Sequence, residues 1–293
     1  MKNHISLFIF AIALLSGPVS ANDLSMTAVK DTLASIPGEH NYIYVRTPLG
    51  EDEEKNYDEI TFYDGLGREL DFAQSYGADR AGAIMAHHHL IEYDSLGRKE
   101  KQWLSTNTSF SYMSPEDLKG GVLWDYHDAG KRSYLQTNYE SSPLNRITEQ
   151  YGVGDAWGDH PARMEYLTNI PADSLRCSFY FIDDNDSLIR RGDYRSGELQ
   201  VTKATDEDGK PTYTFVDKQG RTLLTRLGRG NQQADTYFVF DRFGRIRYVL
   251  PPMINDEISA GNLDLYAYQY LYDSFGRCIS KKLPGCAAIG YVY

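Results

Sequence analysis

At 293 residues, with 30 Lys+Arg against 41 Asp+Glu, the chain carries a formal charge of −11. A surface of that sign repels phosphate backbones and argues against nucleic acid as a partner. The length gives room for a sizeable core in one large β domain or two smaller ones, and 23 tyrosines favour half-buried strands over helices.

The first segment, MKNHISLFIFAIALLSGPVSA, has Lys2, an apolar run from Ile5 to Leu15, and small residues at Val19-Ser20-Ala21. This predicts a secretory signal, Met1–Ala21, cleaved after Ala21. The run is too short to span a bilayer, and no later stretch reaches that length, so the product is expected to be exported with no transmembrane segment after cleavage. No cysteine stands near the cleavage site to carry a lipid anchor. Residues 22–40 form a polar leader with one weak helix read over Met26–Leu33. Residues 41–173 read as an N-terminal β region with insertions, and residues 174–293 as a denser, more regular region of strands and turns.

Strand-like alternation covers Asn41–Arg46, Arg163–Thr168, Ser178–Ile182, Thr212–Val216, Tyr237–Phe240, Arg247–Leu250 and Tyr266–Tyr272. One insertion, Ser114–Gly121 (SPEDLKGG), has Ser as N-cap, Pro at the first helical position, acids in the first turn and Gly-Gly as a stop. A single helical turn is predicted there.

Between these strands a phrase recurs. Phe62–Glu69 reads FYDGLGRE, Glu92–Lys99 EYDSLGRK, Val239–Ile246 VFDRFGRI and Leu271–Cys278 LYDSFGRC. Asp64, Asp94, Asp241 and Asp273 stand first in a four-residue turn, where the carboxylate can accept from an N–H two residues on. Gly67, Gly97, Gly244 and Gly276 stand fourth, where positive φ forms the bulge that realigns two twisted strands. The flanking aromatics (Tyr63, Tyr93, Phe240, Tyr272) and arginines (Arg68, Arg98, Arg245, Arg277) are expected to meet across their own hairpin as cation–π pairs. Looser copies run Phe215–Arg221, Thr205–Lys210 and Tyr139–Arg146, the last with Asn145 in the left-handed position. Spacing between turn aspartates is uneven, so this is a degenerate repeat and not a strict solenoid.

These phrases resemble the tyrosine-aspartate (YD) repeats of bacterial RHS proteins and the teneurins. NYIYVRTPL at Asn41–Leu49, SPLNRITEQYG at Ser142–Gly152, YVLPP at Tyr248–Pro252 and CISKKLPGC at Cys278–Cys286 resemble an exported subgroup with an N-terminal domain of unknown function. The resemblance covers residues 41–293. It implies an all-β fold, a mostly antiparallel curved sheet of hairpins with minor short helices, which in full-length members spirals into a hollow shell able to enclose a C-terminal toxin. This sequence shows no end-of-core segment, self-cleaving site or toxin, so a partial, unclosed shell is expected. Its partner would be the remainder of an RHS shell or another β-edge. The apolar, uncharged stretch Ala287–Tyr293 is expected to form an exposed edge strand that promotes self-association. A non-enzymatic scaffold segment without cofactor is the preferred function. The alternative is a cell-surface glycan- or protein-binding module using exposed tyrosines and Trp157, and a more remote one is an exported hydrolase.

Other candidates for chemistry are sparse. In a strand His87 and His89 share a face and His88 opposes them, so at most two could bind one metal, and exposed strand-end histidines are the preferred reading. Trp157, Asp159 and His160, in the Gly-bounded loop 154–161, are binding candidates against a structural corner plugged by Trp157. Asp183-Asp184-Asn185-Asp186 hints at calcium but lacks the Gly and acid that such a loop needs, which favours a solvated turn. Cys278 and Cys286 could pair across a hairpin; three buried small hydrophobes, Cys177 included, is the plainer reading.

Overall fold

The structure is a computed structural model and describes residues 36, 40–48, 56–78, 84–127, 130–228, 233–254 and 258–293. The signal segment and the helix read over Met26–Leu33 lie outside the described residues. The chain divides into two compact units, Met1–His160 and Pro161–Tyr293.

The first unit is built on β1 (Asn41–Pro48), β2 (Asn56–Tyr63), β3 (Glu69–Ala78), β4 (Ile84–Tyr93), β5 (Lys99–Trp103), β6 (Thr106–Ser109), β7 (Tyr134–Tyr139) and β8 (Ile147–Tyr151). All its strand pairings are antiparallel. β1 through β4 pair in sequence. β4 then divides its edge: Met85–His88 pair with β6, and Ile91–Tyr93 pair with β5. β5 continues to β7, and β7 to β8. Alternation aims Ile60, Phe62, Ala73 and Ala86 at one face, where they bury against Phe110 with Tyr42, Tyr44 and Tyr112.

Helix α1 (Pro115–Asp125) is 11 residues long, more than the single turn read from SPEDLKGG. Ser114 Oγ accepts from Asp117 N–H at 3.2 Å, so the start is capped as expected. Gly120-Gly121 does not stop it. A Cβ at Gly121 would lie 2.7 Å from Thr106 Oγ1, so the glycine serves close approach to β6, while Leu118 and Val122 are buried beneath the helix.

The second unit comprises β9 (Ala162–Thr168), β10 (Ser178–Ile182), β11 (Leu188–Asp193), β12 (Gln200–Thr205), β13 (Pro211–Val216), β14 (Thr222–Leu227), β15 (Ala234–Phe240), β16 (Ile246–Leu250), β17 (Tyr268–Tyr272), β18 (Cys278–Lys282) and β19 (Ile289–Gly290). β9 pairs with β12, and β12 through β19 follow in antiparallel sequence. β10 and β11 form a separate hairpin. Among the described residues no pairing joins β9 to β19 or β1 to β8, so neither sheet closes. The fold is all-β, mostly antiparallel and open, with two short α-helices among the described residues.

Cross-strand register builds the second core. Val201, Phe215, Leu224, Tyr237 and Leu250 face one another on successive strands, all buried. Tyr180 of the β10–β11 hairpin meets the Tyr237 ring edge-on at 4.8 Å. In the next row Arg226 lies opposite Asp235. The strand read over Tyr266–Tyr272 begins only at Tyr268, because Ala260–Tyr266 forms helix α2, capped by Ser259 Oγ on Asn262 N–H at 3.1 Å. Only Ile289–Gly290 of the stretch Ala287–Tyr293 pair as strand. No helix among the described residues is long and apolar enough to cross a membrane.

Candidate functional site

Each strong phrase closes a hairpin, and the local chemistry shows why. At the first, Gly67 N–H donates to Asp64 O at 3.0 Å and Asp64 N–H to Arg68 O at 2.9 Å. Asp64 Oδ1 accepts from the N–H groups of Leu66 and Arg68 at 2.8 and 2.9 Å, and Oδ2 accepts from Arg68 Nε at 2.7 Å. The same set recurs at Asp94, Asp241 and Asp273. The four glycines take φ of 77°, 80°, 77° and 81°. In each hairpin the register shifts by one beside the aromatic, for example between Phe62 and Tyr63, which marks the bulge.

The looser copies use the same scheme with replacements. Asp217 with Gly220 and Arg221 is complete. Asp206 with Gly209 keeps the backbone turn, but Lys210 directs its amine to Asp208. At Tyr139–Arg146 the carboxylate is Glu140, held by Arg146 Nε and Nη2 at 2.7 and 2.8 Å, with Asn145 at φ 55°. The acidic run at Asp183 is a further copy that sequence reasoning did not recognise. Asp183 Oδ1 accepts from Asn185 and Ser187 N–H, and Asp186 occupies the glycine's place at φ 66°. Its carboxylate then binds Arg247 Nη2 at 2.7 Å.

The arginine's stacking partner differs from the sequence expectation. Its guanidinium stays on its own aspartate but lies over a later aromatic of the chain instead of the one before its own aspartate, while Arg245 and Arg277 also lie over Phe243 and Phe275 of their own turns at 4.9 and 5.4 Å. Arg68 lies 4.5 Å from the Tyr93 centroid and Arg98 4.6 Å from Tyr139. In the second unit Arg221 lies over Phe240, Arg245 over Tyr272 and Arg277 over Tyr293, at 5.2, 4.9 and 4.9 Å. The receiving tyrosine returns a bond: the hydroxyls of Tyr93, Tyr139 and Tyr293 donate to the carbonyls of Glu69, Lys99 and Cys278, each one residue past the stacking arginine. Arg98 Nη1 also donates to Glu140 O at 2.9 Å. The carboxylate fixes the guanidinium in plane and leaves its flat face free to stack outward. The phrase is therefore both a turn and a connector between turns.

The electrostatics follow the geometry. The N–H of Arg68, then its guanidinium and Leu66 N–H, hold the Asp64 carboxyl below its ordinary range against a burial effect. At Asp94, Asp217, Asp241 and Asp273 burial pushes the carboxyl up and is outweighed by the same bonds from the following arginine, so the net direction is down. Glu140 is lowered to about 2, by Arg146 and then Ser142. A group more acidic in the fold than in the unfolded chain stabilises fully above its unfolded value and loses that contribution as pH falls through the folded one. Stability is thus expected to hold from neutral pH to the ordinary carboxylate range, about pH 4, and to decline below it. Urea midpoints at pH 7, 4 and 3 check this, and an unchanged midpoint at pH 3 would contradict it.

The other candidates are not brought together with this ladder. His88 is fully buried in mid-strand, not at an exposed strand end; Nδ1 meets Asp71 Oδ2 at 2.7 Å and Nε2 meets Ser109 O at 3.0 Å. His87 and His89 are half-buried on the other face. Among the described residues no group of three or more His, Cys, Asp or Glu side chains is placed to hold a metal. Trp157 is half-exposed and packs on Gly152, and Asp159 and His160 are exposed. The anchoring acid of that loop is Asp155, which accepts from Lys131 and Arg132 N–H at 3.2 and 3.1 Å. Cys177 is buried, Cys278 half-buried and Cys286 exposed, and none of the three is in a disulfide. Cys286 falls in the turn after β18 and not opposite Cys278. A cleft of about 440 Å³ in the second unit runs between β10 and β15, walled by Phe179, Phe181, Tyr194 and Phe240.

Residues 41–168 match the family model of a domain of unknown function, DUF6443. No curated protein matches the chain. Among solved structures, the crystal structure of TcdB2-TccC3-Cdc42 is similar at a TM-score of 0.50 and 14% identity, over 83% of this chain and 11% of that one. A Photorhabdus luminescens Tc holotoxin pore is similar at a TM-score of 0.50 and 13% identity, also over 83% of this chain and 11% of that one. The chain thus spans about a tenth of the length of these proteins, and the likeness is one of fold.

Proposed function

We propose that this chain is a non-enzymatic structural segment of an exported RHS/YD-repeat protein, contributing strands to a β-shell scaffold. The observation that carries this is the ladder in which Arg68, Arg98, Arg221 and Arg245 each grip their own aspartate and stack on the next hairpin. Such a ladder spends the repeated residues on holding neighbouring hairpins in line and leaves none of them free for chemistry. The likeness of fold to part of the TcdB2-TccC3 chains and the signal-like start add support. Its partners would be the remainder of an RHS shell or another β-edge, and its place outside the cytoplasm. Imaging the parent protein from the exported fraction of its own cells tests this. The expected result is an N-terminus at Asn22 and a β-walled cavity in which these strands form part of the wall. A chain retained in the cytoplasm from Met1, or strands bordering solvent on every side, would overturn it.

A surface binding module is the second reading, favoured by the aromatic cleft between β10 and β15. A glycan array in which Phe179→Ala removes a specific signal would favour it.

A further inference from the structure

Phe179 and Tyr194 stand between two hollows of the second unit. On one side is the cleft between β10 and β15, and on the other a hollow of about 410 Å³ lined by Arg191, Asp193, Arg195 and Glu198. The two rings meet edge-on at 4.8 Å, and Phe181 stacks on Phe179 at 5.5 Å. Alternation along β10 spends Tyr180 on the core against Tyr237 and leaves Phe179 and Phe181 half-buried on the opposite side.

The pairing of arginines marks the same place. Arg221, Arg226, Arg245, Arg247 and Arg277 each grip a carboxylate, and Arg176 and Arg190 flank Asp193. By contrast Arg191, Arg195 and Arg242 hold no carboxylate among the described residues, and all three line the two hollows. Arg242 rests only on the Phe243 ring at 4.9 Å, and Arg195 gives Glu198 Oε2 only its backbone N–H, at 3.0 Å. The chain carries a net −11, so acidic partners are plentiful. Unspent cations gathered around one pair of rings therefore have a cause outside the fold.

We infer that this double hollow binds a carboxylated sugar chain, a uronate-bearing polysaccharide. The inference rests on the second reading, that the cleft receives a glycan, and adds which glycans it takes. The rings offer a flat apolar surface on which the C–H face of a pyranose packs. The free guanidinium groups present paired N–H donors that match a carboxylate. Asp193 and Glu198 accept from sugar hydroxyls, and Glu198 keeps Oε1 open for one. Donors and acceptors set side by side on aromatic walls suit a ring that carries a carboxylate and hydroxyls together. An acidic peptide brings carboxylates without the hydroxyls, and meets Asp193 and Glu198 as like charges.

Isothermal titration of the full chain with oligogalacturonate and with hyaluronan oligosaccharides tests this. At least one is expected to bind, and more weakly as salt rises. The methyl ester of the bound probe keeps the sugar rings and caps the charge. That ester, and the double variant R191Q/R195Q with the acid, are each expected to lose at least about tenfold in affinity. The double variant is expected to unfold thermally like the wild type, since neither guanidinium holds a partner in the fold. Lys210→Gln, which removes one positive charge from the β12–β13 turn outside both hollows, is expected to bind like the wild type. Equal affinity for acid and ester, or wild-type affinity in the double variant, would overturn the inference and leave the glycan reading standing. An equal loss in Lys210→Gln, displacement by polyglutamate at matched carboxylate, or no binding of either uronate would overturn it too. A blank glycan array besides would remove the reading on which it rests.

Discussion

Asp235→Ala is expected to destabilise the chain by about 3–5 kcal/mol, the loss typical when one partner of a buried ion pair is removed. Arg226 is buried on β14, and its Nε and Nη2 donate to Asp235 at 2.7 and 2.6 Å. Its Nη1 donates to the carbonyls of Ser174 and Arg176 at 2.9 and 2.8 Å, tying the segment before β10 to the sheet. Guanidinium cannot shed its proton, so without Asp235 it stays charged in the core with two donors unmatched. Tyr237, whose hydroxyl also donates to Asp235, loses an acceptor. Asp235 is about one-quarter exposed, which lets water reach the vacated space and places the loss toward the lower end of the range. Urea denaturation of the variant measures it, and a loss below about 1 kcal/mol would be at odds with a buried, structural pair.

Gly97→Val is expected to cost about 1–3 kcal/mol, because a β-branched residue is strained at φ 80°. Two effects combine there. A Cβ at Gly97 would also lie 3.0 Å from Arg68 Nη1, so the guanidinium stacked on Tyr93 would have to shift by a few tenths of an ångström. At Gly244 the nearest atom, Arg221 Nη1, is 3.8 Å away, so Gly244→Val carries the strain without the crowding and is expected to lose less. Asn at Gly244 is expected to lose less again, since this chain already places Asn145 at φ 55° in an equivalent turn. Denaturation midpoints of the three variants give the order, and a tolerated Gly97→Val would contradict it.

What the sequence revealed depends on how local the physics is. Asp64 and Gly67 are three residues apart and act on each other's backbone, so the phrase alone foretells a bulged hairpin. Arg68 and Tyr93 lie in different hairpins. Their contact depends on which strand follows β3, information that no single phrase holds, and so the phrase by itself points to its own hairpin. His88 shows the same limit. Its burial is decided by Asp71 and the Ser109 carbonyl, 17 and 21 residues away, which turn a polar ring into a satisfied core group. Gly120-Gly121 looks like a stop until Thr106 is seen beneath it, because helix ends are set by packing as well as by propensity. The acidic run is the solvated turn expected of it, exposed at Asp184–Asp186, but Asp186 hides its kinship with the repeat because it stands where the other copies have glycine.

The connection between hairpins is tested most directly by a double-mutant cycle on Arg98→Ala and Tyr139→Leu, read by urea denaturation. Stacking at 4.6 Å, with the Tyr139 hydroxyl on Lys99 O, is expected to give a coupling of about 0.5–2 kcal/mol. The matching cycle of Arg98 with Tyr93, the aromatic of its own phrase, is expected to be additive. Additive losses for Arg98 with Tyr139, or a coupling found only with Tyr93, would mean that the repeated arginine serves its own turn and does not hold neighbouring hairpins together.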